Sequence, residues 1–270
     1  MMLTPAGRLD AKPALLILGS VALAVALVSV SSGAYPLSVA DILRVIAGKE
    51  AADPVASMVF LEVRMPRFLL GFLVGAILAV CGAVLQGLFR NPLADPGLIG
   101  VSAGASLAAI AVIVLGNTWL GGWLALTGDW ALPIAAFIGG SLTVLLAWRI
   151  ANRSGQTAVA TLLLAGIAIN AVAGAGTGLL TFYASDEELR SLTFWTMGSL
   201  GHAGWDDLVL GAPFMVLALV LAPWLARPLD AFLLGESVVG HLGYRTDTVK
   251  KVAIVVVGLG VGAAVAVSGL

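Results

Sequence analysis

Seven stretches of this chain contain no Asp, Glu, Lys, Arg or His: Ala14 to Val30, Phe68 to Leu88, Leu98 to Leu115, Leu132 to Trp148, Val159 to Phe182, Leu208 to Leu225 and Val252 to Leu270. Each falls within the roughly 17 to 25 residues that a helix needs to cross the hydrocarbon core of a bilayer. In lipid the backbone has no water to bond, so a spanning segment must be a helix or a strand of a closed barrel. Barrel strands alternate polar and apolar residues, and these runs are continuous. The predicted fold class is therefore all-α, a polytopic membrane helix bundle with seven spans. Composition agrees: 60% of the 270 residues are hydrophobic and 11% are charged, against about 45 to 50% and about 25% in a soluble domain. A water-soluble enzyme and a disordered chain are both excluded.

The first run does not read as a cleaved leader. Arg8 and Lys12 precede it, but Ser31, Ser32 and Gly33 lead into Tyr35-Pro36 instead of a small-x-small cleavage site. Orientation follows from the basic residues of the short loops. With the N-terminus inside, Arg8, Lys12, Arg90, Arg149, Arg153, Arg227, Arg245, Lys250 and Lys251 are cytoplasmic, while Arg44, Lys49, Arg64, Arg67 and Arg190 are external. That bias places the N-terminus in the cytoplasm. The acids run the other way, with Asp10, Asp95, Asp230, Glu236 and Asp247 inside and the larger share, Glu50 among them, outside. A net charge of -1 carries no field for nucleic acid. Cys81 has no second cysteine to pair with and supports no metal site. The last run stops at Ser268-Gly269-Leu270 without a charged or aromatic anchor, so the chain reads as the first part of a longer one.

The loops carry structure of their own. Ser38 followed by Val39, Ile42, Leu43 and Ile46 predicts a capped amphipathic helix on the outer surface. Arg64-Met65-Pro66-Arg67 then sets two arginines three apart before the second span, with Pro66 suited to a helix start. Arg90 to Gly97 holds two prolines, Asn and Gly, and predicts a rigid non-helical reversal. Small residues line the third run (Gly97, Gly100, Ser102, Gly104, Ser106) and the fifth (Gly166, Asn170, Gly174, Gly176, Gly178), where they allow close helix contact or leave room for a passage. Between Ala184 and Asp207, Asp186 is expected to cap a helix through Glu188, Leu189, Leu192 and Trp195, with Trp195 and Trp205 as interfacial aromatics. The inner loop from Ala226 to Lys251 holds Leu233, Leu234, Val238, Val239 and Leu242, too apolar for a solvated connector. Two short helices broken at Gly240 or Gly243, presenting leucines to a soluble partner, account for it.

Several strings together resemble a known family. They are Arg64-Met65-Pro66-Arg67, Leu85-Gln86-Gly87, Asn91-Pro92-Leu93-Ala94-Asp95-Pro96-Gly97 continuing to Ala105, Leu162 to Gly166, Leu189-Arg190 through Trp195 to Leu200, and Leu234-Gly235-Glu236 with Leu242-Gly243. In this order they are similar to the membrane permease subunits of bacterial ABC importers for ferric siderophores, haem and vitamin B12. The resemblance implies about ten spans per subunit, a homodimer with the passage at its interface, two ATP-binding subunits and a periplasmic binding protein, all in the inner membrane. Residues 1 to 270 then form one permease domain, truncated at its C-terminus.

Site residues carried over by resemblance fall into three groups. Arg64 and Arg67 occupy the positions that meet acidic residues of the binding protein, or else serve as interfacial anchors. Leu234, Gly235, Glu236, Leu242 and Gly243 match the segment that couples to the ATPase, or else pack on their own bundle. Gly166, Asn170 and Gly174 lie on the helix that resembles the wall of the translocation path, although an interhelical hydrogen bond would equally explain Asn170. Arg190 is a candidate substrate contact or a helix anchor. His202, near Met197, invites comparison with haem ligation but also suits a surface loop. His241 lies in the coupling loop, where an ATPase contact is expected.

No catalytic and no metal-binding residues are assigned, and no cofactor is expected on this chain. The resemblance implies that ATP and Mg belong to a partner ATPase, and no Gly-x-x-x-x-Gly-Lys-Ser/Thr run occurs here. The segment Leu189 to Gly201 looks most like the haem-uptake branch, with vitamin B12 or ferric siderophores as alternatives. An ATP-independent secondary transporter is the other class. Such proteins retain an ionisable group within their spans at a cost of about 2.5 to 3.5 kcal/mol, and these seven runs have none.

Overall fold

A computed structural model describes residues 11–49, 53–116, 119–153 and 156–270. Arg8, Asp10 and Glu50, used above for orientation, lie outside the described residues, as does the side chain of Arg153. Every apolar run falls on helix: α1 (Ala11–Ser31), α4 (Met65–Phe89), α5 (Val101–Leu115), α7 (Ala131–Ala151), α8 (Val159–Tyr183), α10 (Trp205–Leu221) with α11 (Pro223–Phe232), and α13 (Thr246–Ser268). Shorter helices α2 (Val39–Ile46), α3 (Pro54–Met58), α6 (Gly121–Thr127), α9 (Asp186–Met197) and α12 (Glu236–His241) fill the loops. Asn152–Arg153 (β1) and Gln156–Thr157 (β2) pair antiparallel in a minimal hairpin between α7 and α8.

Five helical segments among the described residues are long and apolar enough to cross a membrane, and two of the seven predicted spans depart from a straight helix. The run Leu208 to Leu225 is bent by 49° where α10 gives way to α11. Pro223 causes it, because its ring fills the space of a helical carbonyl and it has no N–H to donate. The run Leu98 to Leu115 is broken at Gly100, with φ +93°, into a turn of 3₁₀ helix at Pro96–Ile99 and the 15-residue α5. At 1.5 Å per residue α5 spans about 22 Å, short of a hydrocarbon core of about 30 Å. The reversal expected after Arg90 is thus partly helical, with Asp95 Oδ1 accepting from Gly97 N at 2.7 Å as its cap.

By internal packing the chain forms two compact units, Met1–Leu69 and Leu70–Leu270. In the first, Leu37, Ile42, Ala56 and Phe60 make a small core with Val30, Tyr35, Val45, Val59 and Met65 packed against it. The predicted amphipathic helix is α2, capped as expected by Ser38, whose hydroxyl accepts from Asp41 N at 3.0 Å. The helix from Pro54 is wound as π-helix over Val59–Arg64 before it continues as α4.

In the second unit α5 lies against α7 and α8, and α13 against α7 and α10. The α5–α7 contact is backbone to backbone. A Cβ on Gly104 would stand 2.6 Å from Gly139 O, and one on Gly139 2.4 Å from Gly104 O. Thr143 Oγ1 reaches Gly100 O across the crossing at 3.0 Å and shares its one proton with Gly140 O of its own helix at 2.8 Å. Small residues and a hydroxyl are what helix association needs where lipid supplies no hydrophobic drive. Leu192 of α9 closes over Ile110 and Val114 of α5. The cap of α9 differs from expectation: Ser185 forms a capping box with Glu188, and Asp186 is the first helical residue.

Candidate functional site

The arginine pair is split by the fold. In the π-helical turn the Arg64 side chain swings inward and is 8% exposed. Its Nη1 donates to Val30 O at 2.6 Å and Ser31 O at 2.8 Å, and its Nη2 donates to Tyr35 O. Val30 and Ser31 close α1, so the guanidinium satisfies carbonyls that the helix end leaves orphaned and sits at the negative end of its dipole. Arg64 is therefore an internal clamp in this structure, while Arg67 is partly exposed. Beside the clamp, Tyr35 Oη donates to Asp53 Oδ2. That bond lowers the carboxyl pKa of Asp53, with the Val55 N–H second, and it raises the phenol pKa of Tyr35. Sequence spacing missed the clamp because nothing local separates Arg64, which ends the π-helical turn, from Arg67 in the first turn of α4.

The coupling candidates cluster at one end of α13. Helix α12 is bounded by Gly235 (φ +116°) and Gly243 (φ +86°), both left-handed, as a tight reversal on either side requires. Gly240, one of the two expected break points, is inside α12 instead. Val239 of α12 is fully buried, whereas Leu233, Leu234 and Leu242 are 60%, 70% and 58% exposed. Glu236 receives a hydrogen bond from Lys250 of α13. Nδ1 of His241 lies 2.7 Å from Ser237 O, and its ring is exposed. The three exposed leucines flank α12, whose buried Val239 and Lys250-bound Glu236 fasten it, and they form an exposed apolar surface.

Of the three residues assigned to a passage, Gly166 and Asn170 face the same turn, Gly97 to Gly100, and Gly174 lies apart from it. Gly166 is a contact point, since a Cβ there would lie 2.0 Å from Leu98 O. Asn170 Nδ2 donates to Gly97 O at 3.0 Å, tying α8 to the turn before α5. Gly174 lies on the exposed face of α8 with nothing within 4 Å of its Cβ position. None of the three lines the cavity of about 650 Å³ that is formed by Val74, Leu78 and Gln86 of α4, Asp95 to Gly97, Ser102, Met197 to Leu200 and the C-terminal half of α13. Gln86 and Ser199 belong to the strings that carried the resemblance but were not singled out as site residues. Arg190 is exposed on α9. His202 lines a second cavity of about 480 Å³ together with Met197.

Residues 21–270 match the FecCD transport family. The chain belongs to that family. The hemin transport system permease protein of Yersinia pestis is 42% identical to this FecCD-family chain over 212 residues, 78% of the chain and 62% of that protein. A cobalamin import system permease protein of Halobacterium salinarum is 35% identical over 90% of the chain and 63% of its own length. A vitamin B12 import system permease protein of Klebsiella pneumoniae is 36% identical over 77% of the chain and 60% of its own length. A solved structure described as an inward-facing conformation of a metal-chelate type ABC transporter superposes with a TM-score of 0.78 at 29% identity, covering 96% of this chain and 77% of that one. The chain therefore spans a little over three fifths of the length of these curated relatives. With its membrane-length apolar helices, this FecCD-family chain is a multi-pass membrane protein.

Proposed function

We propose that this chain is the membrane-spanning permease subunit of an ATP-driven importer that moves haem, or a similar iron chelate, from periplasm to cytoplasm by alternating access. Its N-terminus and α12 would lie on the cytoplasmic side of a bacterial inner membrane. The observation that carries the reading is the exposed apolar surface of Leu233, Leu234 and Leu242 on either side of α12, in the segment that resembles the family's ATPase-coupling loop. Two soluble subunits would bind ATP and Mg and hydrolyse ATP, and this chain would do no catalysis.

A second copy of the chain would complete the passage, and the exposed face of α8 around Gly174 is available for it. A periplasmic binding protein would dock on the outer surface that Arg64 shapes from within and Arg67 borders. Haem is preferred because the hemin permease of Yersinia pestis has the highest identity among the relatives described. Vitamin B12 and ferric siderophores remain the competing substrates of the same machine.

Reconstitution with the ATPase and the binding protein in liposomes tests this reading. ATP-dependent uptake of haem, exceeding that of cobalamin and of a ferric siderophore measured side by side, is the expected result. Uptake of cobalamin or siderophore instead reassigns the substrate, and uptake that persists without ATP overturns the ABC reading.

A further inference from the structure

Lys250 is a cation in the wrong place for a surface residue. It lies in the second turn of α13, 2% exposed, and its ammonium donates to Thr157 O at 2.6 Å and to Glu236 Oε1. Thr157, itself buried, is also held from its other side: its N–H donates to Asp247 Oδ1 at 3.1 Å. One turn of α13 thus grips both backbone groups of the residue that leads into α8, and it grips the first residue of α12 with the same lysine. The neighbouring Lys251 stands 5.7 Å from the ring of Trp148 in α7. Four helix ends, those of α7, α8, α12 and α13, converge on this point.

Stability alone does not call for such a cluster. The Lys250 side chain is 2% exposed but that of Glu236 is 51% exposed, so their attraction is screened on one side and recovers little more than the cost of desolvating the lysine. What charged hydrogen bonds add is position, because they weaken steeply with distance and angle. We infer that Lys250 and Asp247 form a mechanical clasp that transmits displacement of α12 directly into α8 and α13, so that movement of the coupling helix and rearrangement of the spans are one event.

The geometry supports transmission without slack. The exposed leucines lie just outside and at the end of α12, its Val239 is fully buried, and Glu236 at its start is fastened to Lys250. A push on the leucines passes along the backbone to Glu236 and through its contact with Lys250 into α13. It reaches α8 through Thr157, two residues before that helix begins. Lys250 and Asp247 are positioning residues here and touch neither nucleotide nor substrate.

The inference rests on the reading of α12 as the ATPase-coupling segment, and the experiment separates the two. In the complete transporter reconstituted with its ATPase and binding protein, substrate moved per ATP hydrolysed is measured. Lys250→Met keeps the volume and removes charge and donors; the amount moved per ATP should fall about fivefold or more, with the ATPase still co-purifying. Lys250→Arg should restore it to within about twofold. Asp247→Ala, which removes the acceptor of the Thr157 N–H and leaves the lysine in place, should lower it in the same direction by a smaller factor. A Lys250→Met complex with an unchanged ratio overturns the clasp. If Lys250→Met does not accumulate, Asp247→Ala decides, and an unchanged ratio there overturns it too. Absence of ATP-driven uptake by the unaltered complex would instead overturn the transport reading.

Discussion

Arg64 and Ser31 are 33 residues apart in the chain, and the guanidinium of one donates to the carbonyl of the other at 2.8 Å. With Val30 and Tyr35 as its other acceptors, Arg64 holds the end of α1 to the turn that follows it. An arginine so occupied has both of its terminal nitrogens committed to carbonyls of its own chain.

Arg64→Ala should therefore loosen the segment from Ser31 to Ile46. Three carbonyls would lose a charged donor, and a buried acceptor left unpaired costs about 1 to 3 kcal/mol. Amide hydrogen exchange across this segment should quicken by at least a hundredfold, equivalent to about 2.7 kcal/mol. Arg67→Glu should leave exchange there unchanged and lower the ratio of binding-protein-stimulated to unstimulated ATP hydrolysis. Equal exchange in Arg64→Ala and the unaltered protein would refute the clamp.

The Tyr35–Asp53 bond makes the same unit pH-dependent at both extremes. The Asp53 pKa is held down by the phenol, so its contribution is present above the ordinary carboxylate pKa and is lost as pH falls through the lower folded value. The Tyr35 pKa is raised by the same bond, so its contribution is full below the ordinary phenol value and is lost as pH rises through the higher folded one. Tyr35→Phe should loosen the loop at pH 7, and its difference from the unaltered protein should vanish at strongly acidic pH. Limited proteolysis between Gly33 and Lys49 across that range reads it out; a constant difference would exclude the bond.

Gly166 and Gly174 should respond oppositely to one methyl group. At Gly166 the added carbon meets backbone at Leu98 and cannot be relieved by a rotamer change, so Gly166→Ala should destabilise by about 1 to 3 kcal/mol. Gly174 has open space, and Gly174→Ala should be neutral or slightly stabilising, by up to about 1 kcal/mol, because alanine is the better helix former. Thermal unfolding in detergent distinguishes them, and equal melting temperatures would disprove the α8 contact.

Leu234→Ser with Leu242→Ser should abolish co-purification of the ATPase while shifting thermal stability by less than about 0.5 kcal/mol, since both side chains are more than half exposed. Retained co-purification would move the ATPase contact away from α12.

Much of the fold is legible along the chain. The helicity of the apolar runs, the Ser38 cap and the exposed leucines beside α12 depend on residues close in sequence. The near misses are local too. Ser185 outcompetes Asp186 because its hydroxyl and the Glu188 carboxylate satisfy each other's backbone N–H, and Gly240 stays helical because Gly235 and Gly243 take the turns.

What the sequence by itself determined is which segments leave water and which residues stay outside them, because apolarity is a property of each side chain and of its immediate neighbours. Tertiary structure decided what the polar exceptions do. Asn170 bonds a carbonyl 73 residues away, and Lys250 one 93 residues away. Arg64 turns inward where Arg67 does not. A donor's role is set by the acceptor brought within about 3 Å of it, and no spacing along the chain encodes which carbonyl that will be.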